Sequence, residues 1–278
     1  MTVRIVTDST CDLPAELIAR HRIIVVPTYI HVGATSYLDG IEITREEFYT
    51  RLPTFVSHPT TSAPSVGAFL RAYEQAAEEG ATGIVSLHPP EEFSSICQAA
   101  RLAAAEMRGL PVIVLDARQL TLGMGLIVLA AAQMAEAGRT AAEIAAALPN
   151  FIRRVYVFGV LDTLEFVRRG GRLNRLQASL GALLQIKPVF TVYCGQLTLE
   201  RVRTLSVALS RLVSLVEALG PLETLAVAHA HAADRADRLA ELAGHLFPDG
   251  RPPLCVEVTP VLGVHFGPGA VGLVAVKK

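Results

Sequence analysis

Gly83-Ile84-Val85-Ser86-Leu87, then a helical spacing of apolar residues from Ser95 to Met107, then Val112-Ile113-Val114-Leu115: this stretch decides the fold class. Each flanking run is short, β-branched and apolar at successive positions, which is the pattern of a strand covered on both faces. Strand, helix, strand in that order requires a crossover, and the crossover makes the two strands parallel. Working outward, Val3 to Thr7 and Ile23 to Tyr29 read as further buried strands and Val66 to Glu79 as a further helix. The expectation is an α/β fold whose N-terminal part is a parallel sheet with helices on both faces. Asp12-Leu13-Pro14 reads as a helix start with an Asp cap and a proline in the first turn, and Thr44-Arg45-Glu46-Glu47 as a capping box.

The pattern changes around Leu148-Pro149-Asn150. A strand from Val155 to Val160 follows, then a polar Arg/Gly loop from Arg168 to Arg172 and a helix from about Leu173 to Leu184. Pro188 to Tyr193 and Leu197 to Val202 flank Cys194-Gly195-Gln196 as a hairpin. Helices over 204–219 and 232–246 and strands over 224–228, 254–258 and 271–276 complete a second α/β unit. This predicts two α/β domains, 1–150 and 151–278, the second with a mixed sheet.

At 278 residues the chain is long enough for a well-buried core. Its formal charge of -1 arises from 25 basic and 26 acidic residues in small scattered groups, so no face carries the electrostatic footprint of a nucleic-acid binder. Hydrophobic residues make up 51% but aromatics only 6%, so the apolar content is aliphatic and alanine-rich. That composition is compatible with a lined cavity, but taken alone it favours alanine-rich helices packed on a sheet. Cys11, Cys97, Cys194 and Cys255 are far apart with no CxxC pair, and the N-terminus enters a strand pattern at once, which points to a reducing cytoplasm. The longest apolar run, Leu122 to Ala132, has 11 residues and two glycines, well short of the roughly 18 a membrane span needs.

Two segments stand out chemically. Thr60, Thr61, Ser62, Pro64 and Ser65 form a run of hydroxyls stiffened by proline, and His265-Phe266-Gly267-Pro268-Gly269 lies near the other end of the chain. Hydroxyls and glycine N–H groups can donate to a carboxylate or phosphate without adding a second charge to desolvate. Gly267-Pro268-Gly269-Ala270-Val271-Gly272 matches the GxGxxG pattern, yet only six residues follow Gly272, too few for the helix and acidic residue of a dinucleotide site. Those glycines are read as a tight turn before a final strand, and Gly123-Met124-Gly125 as part of an apolar helix start. His229, His231 and Asp234 have ligand-type side chains, but a strand ending in His-Ala-His before a capped helix needs no metal, and none is expected. Asp8, Ser9 and Thr10 follow the first strand, where they either touch a ligand or cap a turn. Ser94, His265 and Asp8 could assemble a hydrolase on paper, although no GxSxG elbow is present. Arg168, Arg169 and Arg172 surround Gly170-Gly171 as a basic loop suited to an anion, an acidic partner surface or solvent.

Together these segments resemble the DegV family, whose members include the fatty-acid-binding subunits of bacterial fatty acid kinase. The resemblance rests on Val6-Thr7-Asp8-Ser9-Thr10, Thr60-Thr61-Ser62-Ala63-Pro64-Ser65, Phe93-Ser94-Ser95, Leu164 through Arg172, Ile186-Lys187-Pro188 and Gly263-Val264-His265-Phe266-Gly267-Pro268-Gly269, in this order over nearly the whole chain. It implies a long-chain fatty acid in an apolar tunnel, with its carboxylate at the interdomain cleft, and no cofactor. It implies carboxylate contacts from Thr61 and Ser94, completed by His265 and Arg203 with Ser62 adjoining. Arg168, Arg169 and Arg172 match a region that docks on the kinase subunit, which would make this chain a non-catalytic lipid-binding protein. The alternative is a serine-dependent hydrolase or acyl transferase using Ser94 and His265. The sequence departs from the family pattern at Phe266, where threonine is frequent, and at Pro89-Pro90-Glu91-Glu92 and Ser95, which replace a serine-rich stretch and a glycine.

Overall fold

The computed structural model describes residues 2–172, 186–248 and 253–278. Along the first half run β1 (Val3–Asp8), α1 (Ala15–Arg20), β2 (Ile24–Val26), β3 (Tyr29–Val32), β4 (Thr35–Leu38), α2 (Arg45–Arg51), β5 (Thr60–Ser62), α3 (Val66–Glu78), β6 (Gly83–His88), α4 (Ile96–Glu106), β7 (Val112–Asp116), α5 (Thr121–Glu136) and α6 (Ala141–Ile152). The second half contains β8 (Val155–Val160), α7 (Glu165–Arg169), β9 (Lys187–Tyr193), β10 (Gln196–Val202), α8 (Leu205–Glu217), β11 (Leu222–His229), α9 (Ala233–Leu242), β12 (Leu254–Glu257), α10 (Pro260–Phe266) and β13 (Val271–Lys277). The helix expected from about Leu173 to Leu184 lies outside the described residues.

The fold is mixed α/β. β2, β1, β6 and β7 form a four-stranded sheet in that order, and every pairing in it is parallel. Its strands alternate between two apolar faces: Val6 and Ile84 pack with Phe69, Tyr73 and Ala100 of α3 and α4, while Ile5, Val85 and Leu87 pack with residues of α5 and α6. The second sheet has the order β10-β9-β8-β13-β11-β12; only the β11–β12 pairing is parallel, so the sheet is mixed. β9 and β10 meet at a two-residue turn in which Cys194 (φ 49°) and Gly195 (φ 83°) are both left-handed, the geometry that matches hairpin twist.

α5 joins the two sheets. It is apolar all round, and it packs on β1 and β6 on one side and on β8 and β13 on the other. Its two glycines explain the close approach: a Cβ at Gly123 would stand 2.4 Å from Val157, and one at Gly125 would stand 2.3 Å from the Cys11 carbonyl oxygen. The Gly-Met-Gly signature therefore serves helix packing.

Two local expectations change. The run Ile23 to Tyr29 is not one strand: Pro27, which has no N–H, follows the end of β2, and Tyr29 begins β3 in a separate antiparallel sheet ordered β4-β3-β5. Asp12 does not cap α1. It sits at φ 53° with its carboxylate buried, accepting from Thr121 Oγ1 (2.5 Å) and the Thr259 backbone N–H (2.7 Å), while α1 begins after Pro14 with no side-chain cap. At α2 the Thr44 hydroxyl does accept from Glu47 N–H; the reciprocated capping box is at Thr140 and Glu143.

Candidate functional site

The parallel sheet reverses strand order between β1 and β6, and ligands of open α/β sheets bind beyond the carboxyl ends of strands at such a point. Thr10 follows β1 and Pro89 follows β6, and both line a cavity of about 310 Å³ that reaches across to the second sheet. Three structural units bring its polar residues together. β5 pairs with β3, setting Thr61 opposite Ile30. Ser94 precedes α4, where its Oγ accepts from Ile96 N–H at 3.3 Å. His265 lies in the last turn of α10. Much of the remaining wall is apolar, with Leu161, Val167, Phe190, Leu197, Leu199 and Leu262 among its residues.

His265 Nε2 and Thr61 Oγ1 are 3.0 Å apart, joining residues 204 positions apart in the chain. His265 Nδ1 is buried with no hydrogen-bond partner and faces Gly170, where a Cβ would stand 2.2 Å from it. An orphaned N–H is more costly to bury than an orphaned lone pair, so Nδ1 is the bare nitrogen and Nε2–H donates to Thr61. The Thr61 proton is thereby left to point into the cavity. Burial, followed by the positive charge of Arg172 and the neighbouring His58, holds the His265 pKa down at about 3. At neutral pH this imidazole is an uncharged donor. The Ser94 hydroxyl accepts from the backbone, so it too can donate inward.

Thr61, Ser62, Ser94 and His265 line one cavity, together with Arg172, whose Nη1 also donates to the Gly170 carbonyl at 2.7 Å. Ser62 additionally bonds His31 Nε2 at 2.9 Å. Arg203 is not brought with them: it is exposed between β10 and α8 and is absent from the described cavity wall. Arg168 and Arg169 are exposed on α7, both paired to Glu165, whose carboxyl they hold down at about 2. The glycine N–H groups expected to face an anion are taken by the backbone, Gly267 N by Gly263 O and Gly269 N by Ala230 O. Phe266 stacks at a tilt on Phe190, with ring centroids 5.8 Å apart. His229 Nδ1 accepts from Ala232 N–H, and His231 lies 3.5 Å from Glu257 and stacks on Tyr49, so each of these two histidines has a protein contact.

A buried polar chain behind the cavity escaped sequence reasoning. Asp8 accepts from Thr10 N–H and Thr10 Oγ1 through Oδ1 and contacts His88 Nδ1 (2.8 Å) through Oδ2; His88 Nε2 meets Ser86 Oγ at 2.7 Å, and Tyr73 donates to Ser86. The order Ser, His, Asp repeats that of a catalytic triad, but Ser86, His88 and Asp8 are fully buried and none lines the cavity. The chain instead fixes Thr10, which does line it. The strand patterns at β1 and β6 placed these residues side by side; the alternation of polar with apolar positions in Ser86-Leu87-His88 was the available signal.

Residues 2–278 match the family model described as an uncharacterised protein of the DegV family. A DegV domain-containing protein of Streptomyces coelicolor is 38% identical over 276 residues, covering 98% of this chain and 97% of the relative. Among solved structures, a DegV family protein of Thermus thermophilus described by its fatty acid binding superposes with TM-score 0.89 at 34% identity, and DegV of Bacillus subtilis, described as a fatty acid binding protein, superposes with TM-score 0.90 at 27% identity; both alignments cover 100% of each chain. The chain belongs to the DegV family.

Proposed function

We propose that this protein binds a long-chain fatty acid without transforming it, holding the carboxylate between its two α/β halves, 1–150 and 151–278, and presenting it to a fatty acid kinase subunit in the cytoplasm. The observation that carries the reading is one cavity with an apolar wall at the second sheet and a cluster of uncharged donors brought together from β5, the entry to α4 and the end of α10. Its volume, about 310 Å³, is in the range of small-molecule sites, roughly 300–1,000 Å³. The relatives of Thermus thermophilus and Bacillus subtilis described as fatty acid binding support the choice of ligand. Burial of the alkyl chain contributes about 0.8 kcal/mol per methylene, on the order of 10 kcal/mol for a long acid before binding costs. The carboxylate opposes burial unless its oxygens are paired. Thr61 and Ser94 donate to it, His265 orients Thr61, and Ser62 and Arg172 flank the head group.

Presentation to a kinase needs the head accessible while the tail stays dry, and hydroxyl donors can re-form their bonds around an acyl phosphate. Arg168, Arg169 and Arg172 are the residues proposed to meet the partner; the exposure of Arg168 and Arg169 on α7 supports the first two, and the place of Arg172 on the cavity wall puts it next to the head group to be presented. Arg203 is left outside the carboxylate set because it is exposed and away from the cavity wall. The four free thiols fit a reducing compartment. No described helix is long and apolar enough to cross a membrane.

Two measurements test the proposal. Delipidated protein should bind a long-chain acid far more tightly than its methyl ester, which lacks the carboxylate; equal affinity would remove the head-group site. Bound acid, ATP and a candidate kinase subunit should yield acyl phosphate, trapped by hydroxylamine as the hydroxamate. Turnover of a chromogenic acyl ester, lost on Ser94→Ala, would instead establish the hydrolase alternative.

A further inference from the structure

Helix α10 comes from the second half of the chain, between two strands of the six-stranded sheet, but it is bonded to the first half at both ends. At its start the Val258 carbonyl accepts from the Tyr49 hydroxyl at 3.1 Å, the Thr259 N–H donates to Asp12 Oδ1, and the Thr259 hydroxyl donates to Asp39 Oδ2. At its end the Val264 carbonyl lies 3.1 Å from His58 Nε2, and His265 meets Thr61. Between the two, Gly263 approaches Tyr49 so closely that a Cβ there would stand 2.5 Å from the phenol oxygen.

Asp39 and Thr61 are both tied to the small sheet. Leu38, which precedes Asp39, pairs with Tyr29 of β3, and Thr61 pairs with Ile30 of the same strand. The outer strands of a three-stranded sheet stand roughly 10 Å apart, and from Thr259 to His265 a helix rises about 9 Å. α10 thus has the length to run from the β4 side of this sheet to the β5 side. Thr259 holds the N-cap position of α10, where a threonine hydroxyl ordinarily accepts from the first helical turn, but it makes no such bond and gives its proton to Asp39. Asp39 is buried, and its Oδ2 also lies 3.4 Å from Oγ1 of Thr28, a residue of the cavity wall.

We propose that Asp39 is a positioning residue for the head-group site: by holding Thr259 it fastens the start of α10 to the small sheet, and so sets where His265 stands against Thr61. The inference rests on the fatty-acid reading above. His265 Nδ1 has no partner, so one hydrogen bond orients the ring and the backbone of α10 supplies the rest of its placement. When Thr259 is released the start of the helix can shift, the 3.0 Å contact at its other end lengthens, and the Thr61 proton is no longer held towards the carboxylate.

The test is the ratio of affinities for a long-chain acid and its methyl ester, on delipidated wild-type protein, Asp39→Ala and Thr259→Val. The His265 ring resonances, assigned from His265→Gln, are recorded by NMR on the same proteins. In both variants the ratio should fall roughly tenfold, the lower end of what loss of a hydrogen bond to a charged acceptor produces, and the ring resonances should move. Asp39→Asn keeps an acceptor and Thr259→Ser keeps the hydroxyl, so both should restore the ratio. Adding Thr259→Val to Thr61→Val should lower the ratio no further, because two changes on one path do not add. Thr259→Val removes only a hydroxyl, and it carries the test if Asp39→Ala does not fold. Folded variants that lose stability but keep the wild-type ratio overturn this inference alone. A wild-type protein that binds no long-chain acid overturns the fatty-acid reading, and unmoved His265 resonances in the variants would then overturn the placement of His265 by Asp39 as well.

Discussion

Thr61→Val removes one hydroxyl and keeps the side-chain shape. In the structure that hydroxyl accepts from His265 Nε2–H at 3.0 Å and, on the tautomer fixed by the unpartnered Nδ1, directs its own proton into the cavity. A hydrogen bond to a charged acceptor contributes about 1.5–3 kcal/mol, so affinity for a long-chain acid should fall roughly tenfold to a hundredfold. The methyl ester, whose carbonyl is a weaker acceptor, should lose much less, and the acid-to-ester ratio isolates the head-group term from tail packing. Loss of the His265 partner also leaves Nε2–H unpaired at a half-buried site, at about 1–3 kcal/mol of stability. Thr61→Ser retains the hydroxyl and should restore the ratio. The assay is fluorescence displacement on delipidated protein, with chemical denaturation run in parallel. An unchanged acid-to-ester ratio in a folded Thr61→Val protein would refute the reasoning.

Other expectations follow from neighbouring residues. Gly170 has φ -72°, which alanine adopts freely, so the effect of Gly170→Ala is steric: its Cβ displaces His265 and should weaken acid binding while leaving the melting temperature within a few degrees. His265, held at about 3, falls below its unfolded value near 6.5. The unfolded chain therefore binds more protons between these values, and this group's contribution to stability rises with pH across that window; His265→Gln should flatten the slope in denaturation titrations. Asp12, raised to about 7 by burial against the opposing charge of Arg45, has the opposite sign: its contribution falls as pH rises from about 4 to 7, and Asp12→Asn should gain stability relative to wild type across that range. A constant difference between the Asp12→Asn and wild-type profiles would contradict this. His88→Leu leaves Asp8 buried without its imidazole partner and should cost about 3–5 kcal/mol, measured by urea unfolding.

The parallel sheet was legible because its strands are covered on both faces and so are written as uninterrupted apolar runs, as at Ile84-Val85 and Val112 to Leu115. The break after Val26 was marked by Pro27, but the composition of Ile23 to Tyr29 is that of a strand throughout, and only the pairing of Tyr29 with Leu38 and Ser62 shows where the chain changes sheet. The hydroxyl run was legible as a polar site, but not its division of labour: Ser65 caps α3, Ser62 turns to His31, and Thr61 reaches His265. That division depends on a contact between residues 204 positions apart. Asp12 misled for a related reason. Asp12 before Leu-Pro has the local signature of a cap, and its actual partners, Thr121 and Thr259, arrive from distant elements. The glycines at 267 and 269 looked like anion donors because sequence does not show which backbone amides are already bonded.

The most direct test of the fatty-acid reading is denaturing extraction of the freshly purified protein followed by mass spectrometry of the released small molecules. The account predicts a long-chain fatty acid near one equivalent per chain, diminished in Thr61→Val. A protein that releases none, and that after purification takes up no added fatty acid, would contradict it.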